Sequence, residues 1–337
     1  MGRHVAGEVP ELDRLVVDAC AEIGREVDAL CIPRLSGVVL GGGYGRGEGG
    51  AREQNLNSTL PLQLETRTLT LSNDLDFFAV TEDGAPEAES IAAIGEAIEP
   101  IAKKWTAKLG VDVDFAVKTP WRLKHDEERI MVQELVRGYF DVAGKKGEEL
   151  FGGIARIDAA KLPWMEAARL LMNRGMGLLF AMAENGESCS PKLELEKREF
   201  VNRNINKCIL GAGDARLVTR HAYAWRAEDR AKALGDALYS AAVEWKFRPR
   251  AEPVCEWEKA REVWLAAFDE VCDGSMGART SRSLRNAARW LVRRRSIGDL
   301  RTFALDPVVR VLDVVALHVR ERRSVDNALM RDWKIFN

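Results

Sequence analysis

The chain has 337 residues, enough for two domains, with 46% hydrophobic residues and a formal net charge of −2. That charge argues against a general nucleic-acid binder, and no apolar run approaches the roughly 18 residues of a membrane span. No apolar segment follows the first residues, position 6 is alanine where a myristoylation signal has Ser or Thr, and six cysteines and four histidines show no zinc-binding spacing, so a cytoplasmic protein with reduced thiols is expected.

In chain order, Leu12, Leu15, Val16, Cys20, Ile23 and Val27 recur near helical spacing and predict a helix over 11–30. An apolar strand over 37–41 runs into a glycine turn, Gly41-Gly42-Gly43-Tyr44-Gly45-Arg46-Gly47. Residues 51–70 read as an insertion whose polar part, 51–58, is expected to be loop, while 62–71 alternates imperfectly and suits a strand or flap. An apolar strand over 75–80, a helix over 86–109 with Ile91, Ile94, Ile98, Ile101 and Trp105 on one side, and a strand over 111–117 follow. After Pro120 the pattern turns helical almost throughout, with breaks at 144–147, 152–153, 185–191, 211–214, 273–277 and 306–307. A helix over 164–183 carries Gly175 and Gly177, which predict close packing against the sheet; Met172, Met176 and Met182 read as core filler. The expected fold class is α+β, with a small mixed β-sheet domain over 1–125 and a mostly α-helical domain over 126–337.

The chemistry concentrates in two acidic strands. Side chains alternate across a strand, so Asp74 and Asp76 of Asn73-Asp74-Leu75-Asp76-Phe77 share one face while Leu75 points to the other. Gly110-Val111-Asp112-Val113-Asp114-Phe115 repeats that form with Asp112 and Asp114. Carboxylates that close repel one another unless a cation sits between them, and oxygen-only ligands suit Mg²⁺ or Mn²⁺. A phosphate-cradling glycine turn beside such a site suits phosphoryl or nucleotidyl transfer.

Taken together, these motifs resemble the nucleotidyltransferase superfamily typified by polymerase beta, kanamycin nucleotidyltransferase and poly(A) polymerase. The resemblance covers about residues 37–118: Gly42-Gly43 matches the turn, Gly42 to Gly47 resembles its G-S-x-A-R-G form, and Asp74 and Asp76 match the paired carboxylates. The third carboxylate matches Asp112, with Asp114 one pleat further along as the second choice. The interval between Gly43 and Asp74 is about three times the family's usual one, which marks out the insertion.

The resemblance implies a metal-dependent transfer of NMP from an NTP to a hydroxyl, with release of pyrophosphate. Two Mg²⁺ or Mn²⁺ ions would lie between Asp74, Asp76 and a third carboxylate, Asp112 or Asp114, which would also serve as base. Gly42 and Gly43 would grip the phosphates, and Arg46 would neutralise charge on the leaving group or else form a salt bridge to Glu48 or Asp74. Lys207, in an element resembling the family's K-x₄₋₆-G-D-A pattern that ends at Gly213-Asp214-Ala215, would reach the triphosphate.

Residues 279–323 hold twelve arginines against four acids. This cluster either holds an acidic polymer or forms a solvated helix face paired with acidic segments. With Trp290 as its main aromatic neighbour, the second reading is preferred. The expected partners are therefore an NTP and a small-molecule or protein acceptor, with no membrane. A tRNA- or RNA-end nucleotidyltransferase and a non-catalytic nucleotide-binding protein are the alternatives.

Overall fold

The apolar residues Leu12, Val16, Cys20, Ile23 and Val27 make one side of helix α1 (Pro10–Ala29) buried, whereas Leu15, expected with them, is exposed. Pro10 stands in its first turn, where a missing N–H costs no helical hydrogen bond. In this computed structural model the described residues are 4–7, 9–55, 67–84, 87–184, 191–273, 288, 291–292 and 306–336. They form a mixed α+β protein that divides into two compact units, Met1–Ile157 with Lys246–Pro249, and Asp158–Trp245 with Arg250–Asn337. The first unit thus runs past the expected limit at 125.

The first unit is built on strands β1 (Leu35–Leu40), β4 (Leu75–Thr81), β5 (Val113–Lys118) and β6 (Phe140–Gly144), in the order β5-β4-β1-β6. Strand β1 is antiparallel to both β4 and β6, whereas β4 and β5 are parallel. The long connection that a parallel pair requires is helix α3 (Glu87–Leu109). Its Ile94, Ile98, Ile101 and Trp105 are buried with the α1 stripe against Val38, Leu40, Leu75, Phe77, Ala79 and Val113. The opposite face of the sheet, with Val39, Phe78 and Val80, packs on Leu123, Val132, Leu135 and Phe151. Those residues come from the short helices α4 (Pro120–His125), α5 (Ile130–Leu135) and α6 (Gly147–Phe151).

Between β1 and β4 lie a one-turn helix α2 (Gly42–Gly45) and an antiparallel hairpin of β2 (Ala51–Asn55) and β3 (Arg67–Leu71). The expectation of loop over 51–58 is corrected for its first five residues, which form β2: Ala51 is buried and pairs with Leu71 at the base of the hairpin. The helical expectation beyond Pro120 is also corrected, because β6 adds a strand to the sheet. Its five residues are too few for their period to separate strand from helix, and its pairing with β1 shifts register between Val38 and Val39.

The second unit contains a 3₁₀ turn (Ala159–Lys161) and helices α7 (Trp164–Glu184), α8 (Pro191–Thr219), α9 (Ala227–Leu234), α11 (Trp257–Asp273), α12 (Pro307–Glu321) and α13 (Asn327–Lys334). It also holds most of α10 (Ala237–Phe247). Met172 and Met176 are fully buried, as expected of core filler. Gly175 lies against Val315 and Trp264 of α12 and α11 rather than against the sheet, since an added Cβ would fall 2.5 Å from Val315 Cγ1 and 2.7 Å from the Trp264 ring.

The break expected at 211–214 is absent: α8 runs unbroken through it. A Cβ on Gly211 would stand 2.3 Å from Arg174 Cγ, and one on Gly213 would stand 2.2 Å from the Tyr239 ring. These glycines admit neighbouring side chains to the helix backbone, a close approach that looks like a turn signal in sequence. The two readings predict opposite signs for Gly213→Ala. In an open helix the change would stabilise by about 1 kcal/mol, whereas here overpacking is expected to destabilise by about 1–3 kcal/mol. Urea unfolding of the two proteins decides between them.

Candidate active site

Alternation along β4 and β5 sets the acidic side chains. Leu75, Phe77 and Ala79 enter the core shared with α1 and α3, and Phe78 and Val80 enter the core under α4–α6. Asp76 therefore belongs to the second face, and so does Asp114, whose neighbour two residues on, Ala116, packs there. The parallel register sets Asp76 directly opposite Asp114. Neighbouring strands lie about 4.8 Å apart, so the two residues are cross-strand neighbours on one face. Asp74 stands two positions before Asp76, and both are half-buried.

Asp112 lies just before β5, exposed, and its carbonyl accepts a 2.8 Å hydrogen bond from Leu75 N–H. The expected strand over 111–117 thus begins at Val113 instead. Partial burial, followed by the charges of Asp74 and then Asp112, holds the Asp114 carboxyl above its ordinary range. All three causes disfavour its ionised form. Its proton is held more tightly in the folded chain than in the unfolded one, so stability is lost as pH rises through the folded pKa. Asp114→Asn is therefore expected to melt above the wild type at pH 7 without divalent ions, with the difference vanishing in acid below the ordinary aspartate range. Equal melting temperatures at both pH values would show that the crowding is absent.

The glycine turn sits on the same face. Gly41 N–H donates to Asp76 carbonyl oxygen at 2.8 Å, and a Cβ on Gly41 would meet Phe78 and Leu135. Gly42 has φ +58°, and a Cβ there would fall 2.1 Å from Asp76 Oδ2. The left-handed backbone and the carboxylate beneath it both require glycine at this position. Gly43 is less constrained, since the nearest atom to an added Cβ would be Glu48 carbonyl oxygen at 3.2 Å.

Arg46 is engaged by carboxylates, with Nη1 2.9 Å from Glu134 Oε2 and Nη2 3.5 Å from Glu48 Oε2. This is the salt bridge to Glu48 that the sequence offered as the alternative to a phosphate role. Lys207 belongs to the second unit, half-buried on α8, and is not among the residues that the first unit brings together.

Sequence reasoning missed Tyr44 and Lys246. The Tyr44 hydroxyl donates to Gly50 carbonyl oxygen at 2.8 Å and accepts from Ser72 N–H at 3.3 Å, which ties the turn to the approach to Asp74. Burial, with a smaller contribution from the Asp74 charge, pushes its phenol up to about 12. Lys246, some two hundred positions away, pairs with Glu48 at 2.9 Å. Only the apolar character of the turn's surroundings signals the first, and nothing local signals the second.

Among the described residues, no three His, Cys, Asp or Glu side chains stand together as a ready-made metal cage. The donor chemistry nevertheless fits a hard divalent cation: Asp76 and Asp114 are oxygen donors paired across β4 and β5, Asp74 directly precedes β4, and burial and then the Asp74 charge act on Asp114.

Four arginines of the cluster over 279–323 are described. Arg320 pairs with Asp269 at 3.0 Å, Arg322 with Glu258 at 2.9 Å and Arg323 with Glu321, while Arg310 is half-buried on α12. The other eight lie outside the described residues. Comparison of the chain with family models, with curated proteins and with solved structures finds no match.

Proposed function

We propose that the first unit is the catalytic domain of a metal-dependent nucleotidyltransferase, which transfers NMP from an NTP to a hydroxyl of a small molecule or protein. The observation that carries this reading is the register of Asp76 opposite Asp114, with Gly42 seated on the Asp76 carboxylate. Asp74 and Asp76 would hold Mg²⁺ or Mn²⁺ in this role. The third carboxylate is assigned to Asp114 rather than Asp112, because Asp114 lies within the strand and in register with Asp76. Bound there, a divalent cation supplies charge neutralisation and Lewis-acid activation.

The remaining steps fall to the side chains and backbone of the unit. Asp114 takes the proton of the acceptor hydroxyl on a carboxylate oxygen. Gly42 and Gly43 present backbone without side chains, so a phosphate chain can approach the turn closely. Arg46 acts through the turn, since Glu134 and Glu48 hold its guanidinium. Lys207 remains a candidate for the triphosphate on the strength of the resemblance alone.

The pairing of three described arginines with acids supports a small-molecule or protein acceptor over a nucleic acid. The test supplies the protein with each NTP labelled at the α-phosphate, Mg²⁺ or Mn²⁺ and a cell lysate. Label is expected to join one class of acceptor, with pyrophosphate released in equal amount. Metal-dependent NTP binding without any transfer would instead support the non-catalytic nucleotide-binding alternative.

A further inference from the structure

Glu48 is buried directly after the glycine turn, and its carboxylate is the centre of a chain of charges. Lys246 Nζ lies 2.9 Å from Glu48 Oε2, Arg46 Nη2 lies 3.5 Å from the same oxygen, and Arg46 Nη1 lies 2.9 Å from Glu134. Lys246 also reaches the other side of the site through its backbone. Its carbonyl oxygen accepts a hydrogen bond from Asn73 Nδ2 at 3.5 Å, immediately before Asp74. Gly50 fits between these groups, since a Cβ there would stand 2.8 Å from both Lys246 carbonyl oxygen and Asn73 Nδ2. The segment Lys246–Pro249 is part of the first unit although it is far from the rest of that unit in sequence.

We propose that Lys246 and Glu48 are positioning residues that fix the spacing between the glycine turn and the Asp74–Asp76 strand; this rests on the nucleotidyltransferase reading. One end of the clamp is the ion pair to the turn, and the other is the carbonyl that holds Asn73. The Glu48 carboxylate is buried, so removing Lys246 leaves its charge poorly compensated, and the pair holds the turn against the segment whose carbonyl accepts from Asn73. Groups that orient the residues holding a metal typically change metal affinity or activity by roughly 10- to 100-fold when removed.

The test measures Mn²⁺ affinity by calorimetry, kcat and KM for NMP transfer, and melting temperature, for the full chain and three variants. Lys246→Met is expected to lower kcat and weaken Mn²⁺ binding, each by roughly 10- to 100-fold. Glu48→Gln, which keeps the side chain's shape, should show the same losses if Lys246→Met fails to fold. Lys246→Arg retains a donor of similar reach and should recover most of both. A merely structural pair would lower the melting temperature and leave kcat and Mn²⁺ affinity per folded molecule unchanged, and that result overturns the positioning role alone. A wild type that neither binds Mn²⁺ nor transfers NMP overturns the nucleotidyltransferase reading as well.

Discussion

Asp76→Asn is expected to reduce NMP transfer by roughly a thousandfold or more, the scale of the several kcal/mol that a correctly held metal charge contributes to a transition state. Asparagine keeps the shape beneath Gly42 and removes the charge that faces Asp114 across the β4–β5 register. The melting temperature should hold or rise, because a like-charge repulsion is relieved. Loss of activity with intact or increased stability separates a ligand from a structural carboxylate. A variant that keeps more than a few per cent of wild-type turnover would remove Asp76 from the mechanism. Asp74→Asn should behave alike, and Asp112→Asn should cost far less than Asp114→Asn.

Gly42→Ala carries the second large effect, and here stability and activity should fall together. The backbone at φ +58° disfavours any side chain by about 1–2 kcal/mol. The new Cβ would stand 2.1 Å from Asp76 Oδ2, so the carboxylate must swing away from its place. Transfer is expected to drop by roughly a hundredfold, the cost of a displacement of about 1 Å in a catalytic group. In a double-mutant cycle with Asp76→Asn the two losses should be strongly non-additive, because both act on one carboxylate. Gly43→Ala should be milder, since the nearest atom to its Cβ, Glu48 carbonyl oxygen, is 3.2 Å away. Additive losses, or an equal loss at Gly43, would show that the turn does not shape the Asp76 site.

The parts of this fold that local chemistry determines were legible in the sequence. The buried faces of α1 and α3 and the alternation of strand β4 follow from periods of 3.6 and 2 that neighbouring residues carry themselves. What escaped depended on partners far away in the chain. Strand β6 exists because β1 offers it an edge, and its five residues have no period of their own strong enough to announce it. Gly211 and Gly213 have the composition of a turn, yet they are there to admit Arg174 and Tyr239. The pairing of Asp76 with Asp114, on which the proposed third carboxylate rests, depends on the register with β4, which alternation within one strand does not contain. Lys246 has no sequence signal at all, because its meaning comes from Glu48 and Asn73.

In the proposed reaction Asp74, Asp76 and Asp114 together hold a divalent cation for an NTP. Calorimetric titration of Mn²⁺ into the protein, with and without a non-hydrolysable NTP analogue, tests that role most directly. The wild type is expected to bind Mn²⁺, and the analogue to bind tightly only when Mn²⁺ is present. Asp76→Asn or Asp114→Asn should abolish both, while Asp112→Asn largely preserves them. Analogue affinity that is the same with and without Mn²⁺, or Mn²⁺ binding unchanged in Asp76→Asn, would contradict the three-carboxylate site.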